Sequence, residues 1–250
     1  MTTPSPDTAA AQPRRRFARW IAVVGVSVAI FLACVLVDLT ASPDLTSSAG
    51  PSALLALMAG IMQVVALLAL APWWGTMLAD ARVAALRVLA CAAATGALVF
   101  VLVLFQMRVE PLALLRVQAV VLGAGLLAAG VSSVLGAVFR SVRGAAAFTT
   151  LAGFAVTATP FWGNILIRYA GDGWKSFAVA VVAKLSPLCA CADAAGYDLF
   201  RGDTLYDLSV ISNYPSYRLP AWWLYALLTG AAGILLLGVA AVLRRRFTRT

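Results

Sequence analysis

Two cysteines separated by one residue, Cys189 and Cys191, come closest to a reactive site in this 250-residue sequence by type and spacing. Thiols this close can bind a soft metal ion or act as a redox pair. The nearest further ligand is Asp193, and a disulfide between such close neighbours forms only with strain. The alternative is that both are small residues at the end of a half-buried helix. The sequence favours this second interpretation and leaves the role of the pair open.

The rest of the sequence contains few of the residue combinations that enzymes use for catalysis. The chain contains no histidine, which excludes Ser-His-Asp triads, Cys-His dyads and histidine-bound metals. Residues 171–176 (GDGWKS) resemble a phosphate-binding loop, but Trp174 stands where that motif requires glycine. We therefore predict that the chain is not an enzyme and that it binds no cofactor and no metal.

A further polar group lies inside an apolar block and consists of Thr157, Thr159, Pro160 and Asn164. Proline has no N–H, so a backbone carbonyl one turn earlier loses its donor and must find another. Such a stretch can line the path of a transported molecule, or it can be a stabilised kink. Both interpretations stay open.

The apolar blocks themselves predict an all-α integral membrane protein. Of all residues 62% are hydrophobic and 12% are charged, against roughly 25% charged in a typical soluble domain. A helix of about 20 apolar residues crosses the ~30 Å hydrocarbon layer. Six blocks predict spans at about 17–39, 51–72, 84–107, 112–139, 145–167 and 220–243, in one transmembrane domain from 17 to 243. In the fourth span, Gly125, Ala129, Ser133 and Ala137 recur every fourth residue and predict a face for close helix approach.

The basic residues predict the orientation of these spans. The net charge is +9, and arginines cluster in an N-terminal tail, residues 1–16, and in a C-terminal tail, residues 244–250. Basic residues next to spans stay on the cytoplasmic side. We therefore predict a multi-pass protein of the cytoplasmic membrane with both termini in the cytoplasm. Arginines at the edges of spans account for the charge without nucleic-acid binding.

Two of the predicted connections are more than short turns. The outer segment 168–219 contains an apolar run at 177–185, which as a helix spans about 14 Å and is too short to cross. This run predicts a short re-entrant or interfacial helix between the fifth and sixth spans. On the cytoplasmic side, residues 73–87 form either a short helix along the membrane face or a plain connector.

This plan resembles the membrane subunit, or permease, of the ABC-2 class of ABC transporters. The shared features are six spans with both ends inside, a cytoplasmic element after the second span and a partly re-entrant outer segment before the last. The C-terminal part adds sequence likeness, namely LSPL at 185–188, GYDLFR at 196–201, LYDLS at 205–209, PAWW at 220–223 and RRR at 244–246.

The resemblance implies partners and a contact loop. Two permease subunits, identical or different, would pair within the membrane lipids, and each would dock a separate cytoplasmic ATPase through the loop after the second span. The matching positions here are Trp73, Trp74, Asp80 and Arg82. The loop departs from the family pattern, because Asp80 is all that remains of its glutamate-led acidic sequence. The two tryptophans also fit anchors at the membrane interface.

We therefore expect a permease subunit of an ABC-type exporter that receives its energy from a partner ATPase. Two other functions stay open, a non-transporting membrane scaffold or assembly protein and an ion-coupled secondary carrier. Ion coupling usually requires carboxylates within the membrane, and no Asp or Glu lies near the middle of a predicted span. The sequence identifies neither the cargo nor the direction of transport.

Overall fold

The computed structural model describes residues 51–77, 81–106, 110–139, 141–171, 173–197 and 219–247. The regular structure within these ranges is helical throughout. In chain order the helices are α1 (Pro51–Met77), α2 (Ala81–Gln106), α3 (Pro111–Phe139), α4 (Val142–Thr157), α5 (Thr159–Trp162), α6 (Asn164–Tyr169), α7 (Lys175–Leu185), α8 (Pro187–Ala195) and α9 (Trp222–Phe247). The predicted tail 1–16, the predicted span 17–39 and the motif at 205–209 lie outside the described residues.

The prediction of an all-α multi-pass membrane protein is confirmed at this level. Three helical stretches are long and apolar enough to cross a membrane, Ala53–Met77, Pro111–Phe139 and Trp222–Arg245. Two bent helix pairs, Val142–Thr157 with Thr159–Tyr169 and Lys175–Leu185 with Pro187–Ala195, raise the number to five if each pair counts as one span. Six spans, and the side on which the termini lie, stay predictions.

Helix α3 is the centre of the bundle and packs against α1, α2, α4, α8 and α9. Its inward face is buried and carries small or aliphatic residues, among them Ala113, Val117, Val121, Gly125, Ala129 and Ser133. The predicted small-residue face lies against α1 and α2: Gly125 contacts Leu67 and Val88, and Gly75 packs on the backbone of Ala129. Small residues at such positions let helix backbones approach closely.

The contacts along α3 show that α1, α3 and α9 run in the same direction. On α1, Gly60 lies beside Val117, and further along Gly75 lies beside Ala129. On the opposite side of α3, Gly123 faces Thr229 at the start of α9, and Gly130 faces Leu236 further along. Parallel helices must be connected by segments that run in the opposite direction. This agrees with the alternating membrane crossings that the sequence predicts.

Helices α2 and α4 supply the return direction. Gly96, late in α2, lies beside Gln118, whereas Val88, early in α2, lies beside Gly125. Helix α2 is therefore antiparallel to α3. Helix α4 is likewise antiparallel to α1. Gly153, late in α4, packs on Leu68, whereas the earlier part of α4 lies nearer to the end of α1.

The connection predicted at 73–87 is shorter in the structure. Helix α1 does not end at Pro72, as the sequence predicts, but continues to Met77, and α2 begins at Ala81. The described residues on either side of this connection thus belong to α1 and α2 and form no separate short helix along the membrane face, while residues 78–80 lie outside the described residues. The helix survives Pro72 because the carbonyl that proline leaves without a donor, that of Leu68, accepts a hydrogen bond from Thr150 at 3.2 Å.

Two helices are interrupted between α3 and α9, in segments where the sequence predicts a kink and a short helix. The predicted span 145–167 consists of α4, α5 and α6, with a bend of 58° between α4 and Thr159–Tyr169. The predicted short helix at 177–185 is α7, which starts two residues earlier and meets α8 at a bend of 75°. Pro187 occupies the first turn of α8, where its missing N–H is harmless. Helix α8 ends at Gly196, whose φ of 70° is the left-handed conformation that favours glycine.

Candidate functional site

One end of the bundle collects arginines from several helices. Arg82 opens α2, Arg143 opens α4, and Arg244 and Arg245 lie near the end of α9. Because α1, α3 and α9 run parallel while α2 and α4 run antiparallel, all these positions fall at the same end. We call it the arginine end. Its side chains are exposed except that of Arg244, which is half-buried.

Arg244 joins three helices at the arginine end. Its Nη2 donates to the carbonyl oxygen of Gly75 at 2.8 Å and to the hydroxyl of Ser133 at 3.1 Å. Gly75 is the right residue there, because a methyl group at this position would lie 2.1 Å from the carbonyl oxygen of Ala129. One nitrogen of the guanidinium, Nη2, therefore connects the last turns of α1, α3 and α9.

Two of the predicted ATPase-contact residues lie in α1, and one opens α2. Trp73 and Trp74 are half-buried in the last two turns of α1, and Trp74 packs against the apolar core. Arg82 is exposed in the first turn of α2. Asp80 lies outside the described residues. The three described residues thus sit at the arginine end, next to the connection between α1 and α2, and an ATPase contact through them stays a prediction.

The predicted path or kink residues form a junction between two broken helix pairs. Thr159, at the start of α5, has its hydroxyl 2.8 Å from the carbonyl oxygen of Val156 and 3.1 Å from that of Val182 in α7. In return, the hydroxyl of Ser186, between α7 and α8, donates to the carbonyl oxygen of Thr157 at 2.8 Å. Each break therefore supplies a hydroxyl to the other, and we call these contacts the break junction.

The break junction satisfies the groups that Pro160 disturbs. The carbonyl of Val156 is four residues before Pro160 and so lacks its usual helical donor, and the hydroxyl of Thr159 lies 2.8 Å from it. Thr157, Thr159 and Pro160 are all buried. These are the features of a stabilised kink, and lining of a transport path by the same residues stays a prediction. Nothing is described for the side chain of Asn164.

The two cysteines lie in α8 and are buried completely, with an exposed fraction of 0% for each. Both are free thiols, and Cys191 faces Gly60 of α1. In the described part of the chain, no cluster of three or more His, Cys, Asp or Glu residues could hold a metal ion. This geometry is that of small residues filling the contact between α8, α1 and α3. Asp193, one turn further on, accepts a hydrogen bond from the backbone N–H of Trp222 at 2.9 Å and so connects α8 to the first turn of α9.

Sequence reasoning missed a polar pair in the bundle interior. Gln118 of α3 donates through Nε2 to Oε1 of Gln63 in α1, across 2.5 Å. Gln63 is buried, with 5% of its surface exposed. A signal was available: each glutamine interrupts a long aliphatic run, and a polar residue inside a span is costly and usually kept for function.

The fold and these contacts define the class of this protein, an all-helical protein with several membrane-spanning helices and two broken helix pairs. Comparisons of the chain with protein-family models, with curated proteins and with solved structures gave no match. Its function is therefore argued from its own residues.

Proposed function

We propose that this chain is the membrane-spanning permease subunit of an ABC-type exporter of the ABC-2 class. It crosses the cytoplasmic membrane six times, with both termini in the cytoplasm. It pairs with a second permease subunit, identical or different, and a separate cytoplasmic ATPase supplies the energy. The order of the elements supports the proposal, because a bent pair, α7–α8, precedes the last long helix in the position where the ABC-2 plan has its re-entrant outer segment.

The observation that carries the proposal is the contact of Arg244 with Gly75. In the ABC-2 plan the ATPase docks at the loop after the second span, which corresponds here to the connection between α1 and α2. Gly75 belongs to the last turn before that connection, and the guanidinium of Arg244 ties it to the final helix. A force applied by a docked ATPase at this connection is thus transmitted directly to α9 and, through Ser133, to α3.

Helix α9 links the arginine end to the broken helices at the opposite end. It is held by Arg244 near its last turn and by the carboxylate of Asp193 at its first N–H. The hydroxyl of Tyr225, in its first turn, also lies 3.4 Å from the carbonyl oxygen of Leu185, where α7 ends. Movement of α9 along its axis therefore reaches the α7–α8 bend. Export by alternating helix packing requires that ATPase docking at one end of the bundle move the helices along the substrate path, and α9 would provide this coupling.

The test is reconstitution with the ATPase encoded beside this chain in its genome. The two proteins are co-expressed, purified in mild detergent and placed in lipid vesicles, where ATP hydrolysis is measured. We expect a stable complex and a hydrolysis rate that changes when the permease is present. The substitution Arg82→Glu at the connection lowers complex formation about tenfold, which corresponds to ~1.4 kcal/mol. Arg143→Glu, at the same end but on α4, serves as the matched control and leaves the complex intact.

Each other outcome has a defined meaning. If no ATPase associates with the chain and none is encoded nearby, the proposal fails. A stable complex whose ATP hydrolysis drives no flux in vesicles selects the scaffold or assembly function. Flux that follows an ion gradient without ATP selects the secondary carrier.

A further inference from the structure

Gln63 and Gln118 form a polar pair in the interior of the bundle. Gln63 lies near the middle of α1, and Gln118 lies two turns into α3. The positions one turn away from them are apolar, among them Leu67, Leu114 and Val121, all of which are buried. Gln63 is thus buried and Gln118 half-buried among apolar neighbours, within two of the helices that are long enough to cross a membrane.

The single hydrogen bond between the two side-chain amides uses the NH₂ group of Gln118 and the oxygen of Gln63, and it does not use the NH₂ group of Gln63 or the oxygen of Gln118. Each carboxamide has one carbonyl oxygen and one NH₂ group. The amide nitrogen of Gln63 and the amide oxygen of Gln118 are buried and have no hydrogen-bond partner among the residues that the structure describes. A buried polar atom without a partner costs about 1–3 kcal/mol, and the cost is not relieved by lipid. The pair thus holds one donor group and one acceptor group that no described residue uses inside the bundle, although leaving them so is costly.

Helix α2 provides room for this arrangement through Gly96. A methyl group at this position would lie 2.8 Å from the amide oxygen of Gln118. The glycine therefore lets the unpartnered oxygen occupy the space between α2 and α3. Three helices contribute to the site: α1 through the donor, α3 through the acceptor and α2 through the absence of a side chain.

We propose that Gln63 and Gln118 form an intramembrane binding site for one neutral group that both accepts and donates a hydrogen bond, a hydroxyl or a carboxamide. The group accepts from the Gln63 nitrogen and donates to the Gln118 oxygen. The site favours neutral groups, because both of its functional groups are uncharged amides and a charge would have to leave water without a counter-charge from either of them. The same chemistry is available from an ordered water and from the polar group of a carried molecule.

The proposed site depends on α1 and α3 lying within the membrane, and it does not depend on a partner ATPase. Failure of the permease proposal and failure of this site are therefore separate results. If the chain is a permease, the pair is a contact for the cargo on the side of α1 that faces α3. If the chain is a scaffold, the site holds water or a lipid hydroxyl.

The experiment is nuclear magnetic resonance of the full chain in lipid nanodiscs, with nitrogen-15 in the glutamine side chains. The signals of Gln63 and Gln118 are assigned by their loss in the variants Q63M and Q118M. Acetamide, which both donates and accepts, is the probe, and acetone, which only accepts, is its control. We expect saturable shifts of both side-chain amides with acetamide, and binding of acetone about fivefold weaker because one hydrogen bond of ~1 kcal/mol is missing.

A second measurement separates the two sources of the bound group. Without any probe, magnetisation transfer between water and the Gln63 amide indicates an ordered water, and its loss on addition of acetamide shows that the solute displaces it. Transfer from lipid hydroxyls instead of water assigns the group to the bilayer. The proposal is overturned if the Gln63 and Gln118 amides shift no more than the other glutamines of the chain and show no magnetisation transfer.

Two variants keep the test valid if the methionine substitutions disturb folding. Gly96→Ala leaves both glutamines in place and displaces the end of the flexible Gln118 side chain, so it abolishes the acetamide shifts while the chain stays folded. Gly238→Ala, on α9, is the matched control, because no atom of the described residues lies within 4 Å of the added methyl group. Equal acetamide binding in the Gly96→Ala variant and in the unsubstituted chain contradicts the proposed site.

Discussion

The hydroxyl of Thr150 donates a hydrogen bond to the carbonyl oxygen of Leu68, the one carbonyl of α1 that Pro72 deprives of its intrahelical donor. The distance is 3.2 Å, and the two residues belong to α4 and α1. This contact explains how α1 continues through a proline to Met77. It also fixes the position of α4 beside α1, because the donor must meet this particular carbonyl.

The first prediction concerns this donor. We expect Thr150→Val to lower the free energy of unfolding by about 0.5–1.5 kcal/mol, because the carbonyl of Leu68 is left without a partner inside the bundle. Pro72→Ala restores an N–H to α1 and provides the missing donor. In a Pro72→Ala background, Thr150→Val is therefore expected to cost close to nothing. The measurement is a double-mutant cycle followed by helix content during denaturation in mixed micelles.

The control for this cycle is Thr150→Ser, which keeps the hydroxyl and is expected to retain most of the stability. Additive effects of Pro72→Ala and Thr150→Val contradict the explanation given for the continuity of α1. In that case the hydrogen bond is present but does not replace the donor that proline removes.

The long apolar helices are the part of the fold that is readable from the sequence, because length and apolar composition decide whether a segment can cross a membrane. The predicted spans 51–72, 112–139 and 220–243 correspond to α1, α3 and α9. Their ends were less predictable. Pro72 normally ends a helix, and nothing in the local sequence shows that Thr150, 78 positions further along, supplies a substitute donor.

The small-residue faces were predictable in part. The ridge of Gly125 and Ala129 was visible because its spacing is regular, and it packs against α1 and α2. The contact between α3 and α9 uses Gly130 and Gly233 instead. The sequence pattern of one helix does not predict such glycine pairs, because the contact depends on which backbone another helix places against the glycine.

The candidate sites were harder to predict than the fold. The sequence singled out Thr159 and Pro160, and the structure shows how their polar groups are used, but the partner hydroxyl of Ser186 depends on a bend between α7 and α8. Arg244 was assigned to a basic tail, whereas it forms hydrogen bonds with α1 and α3. Contacts between distant residues follow from tertiary packing, which local patterns do not contain.

The second prediction concerns Gly233 in the contact between α9 and α3. A methyl group at this position would lie 2.4 Å from the carbonyl carbon of Leu126, which is backbone and cannot move aside. We expect Gly233→Ala to separate the helices and lower the free energy of unfolding by about 1–3 kcal/mol. Gly238→Ala, five residues further on the same helix, meets no atom within 4 Å in the described part of the chain and is expected to be neutral or slightly stabilising. Equal effects of the two substitutions on thermal unfolding contradict this account.

The third prediction concerns the break junction. Thr159→Val removes the hydroxyl that reaches Val156 and Val182, and Ser186→Ala removes the hydroxyl that reaches Thr157. We expect each substitution to speed hydrogen exchange of the backbone amides around the α7–α8 bend about fivefold, the equivalent of ~1 kcal/mol.

Because the two hydroxyls hold the same junction, the double variant is expected to cost less than the sum of the single variants. Thr159→Ser, which keeps a hydroxyl, is the control and is expected to retain slow exchange. Unchanged exchange in both Thr159→Val and Ser186→Ala indicates that packing alone fixes the bend.

The fourth prediction concerns Arg244. We expect Arg244→Met to loosen the last turn of α1 and to speed amide exchange at Thr76 and Met77 about tenfold, since hydrogen bonds from a charged donor contribute ~1.5–3 kcal/mol. Arg244→Lys keeps the charge but replaces the guanidinium, whose Nη2 reaches both Gly75 and Ser133, by an ammonium on a different stem, so an intermediate rate is expected. Arg143→Met, at an exposed arginine of the same end on α4, is the control and leaves exchange at the end of α1 unchanged. Ser133→Ala adds little in the Arg244→Met background, because the contact it serves is already lost. If Arg143→Met speeds exchange as much as Arg244→Met, general loss of charge at the arginine end is responsible, and Arg244 has no specific role in joining α9 to α1.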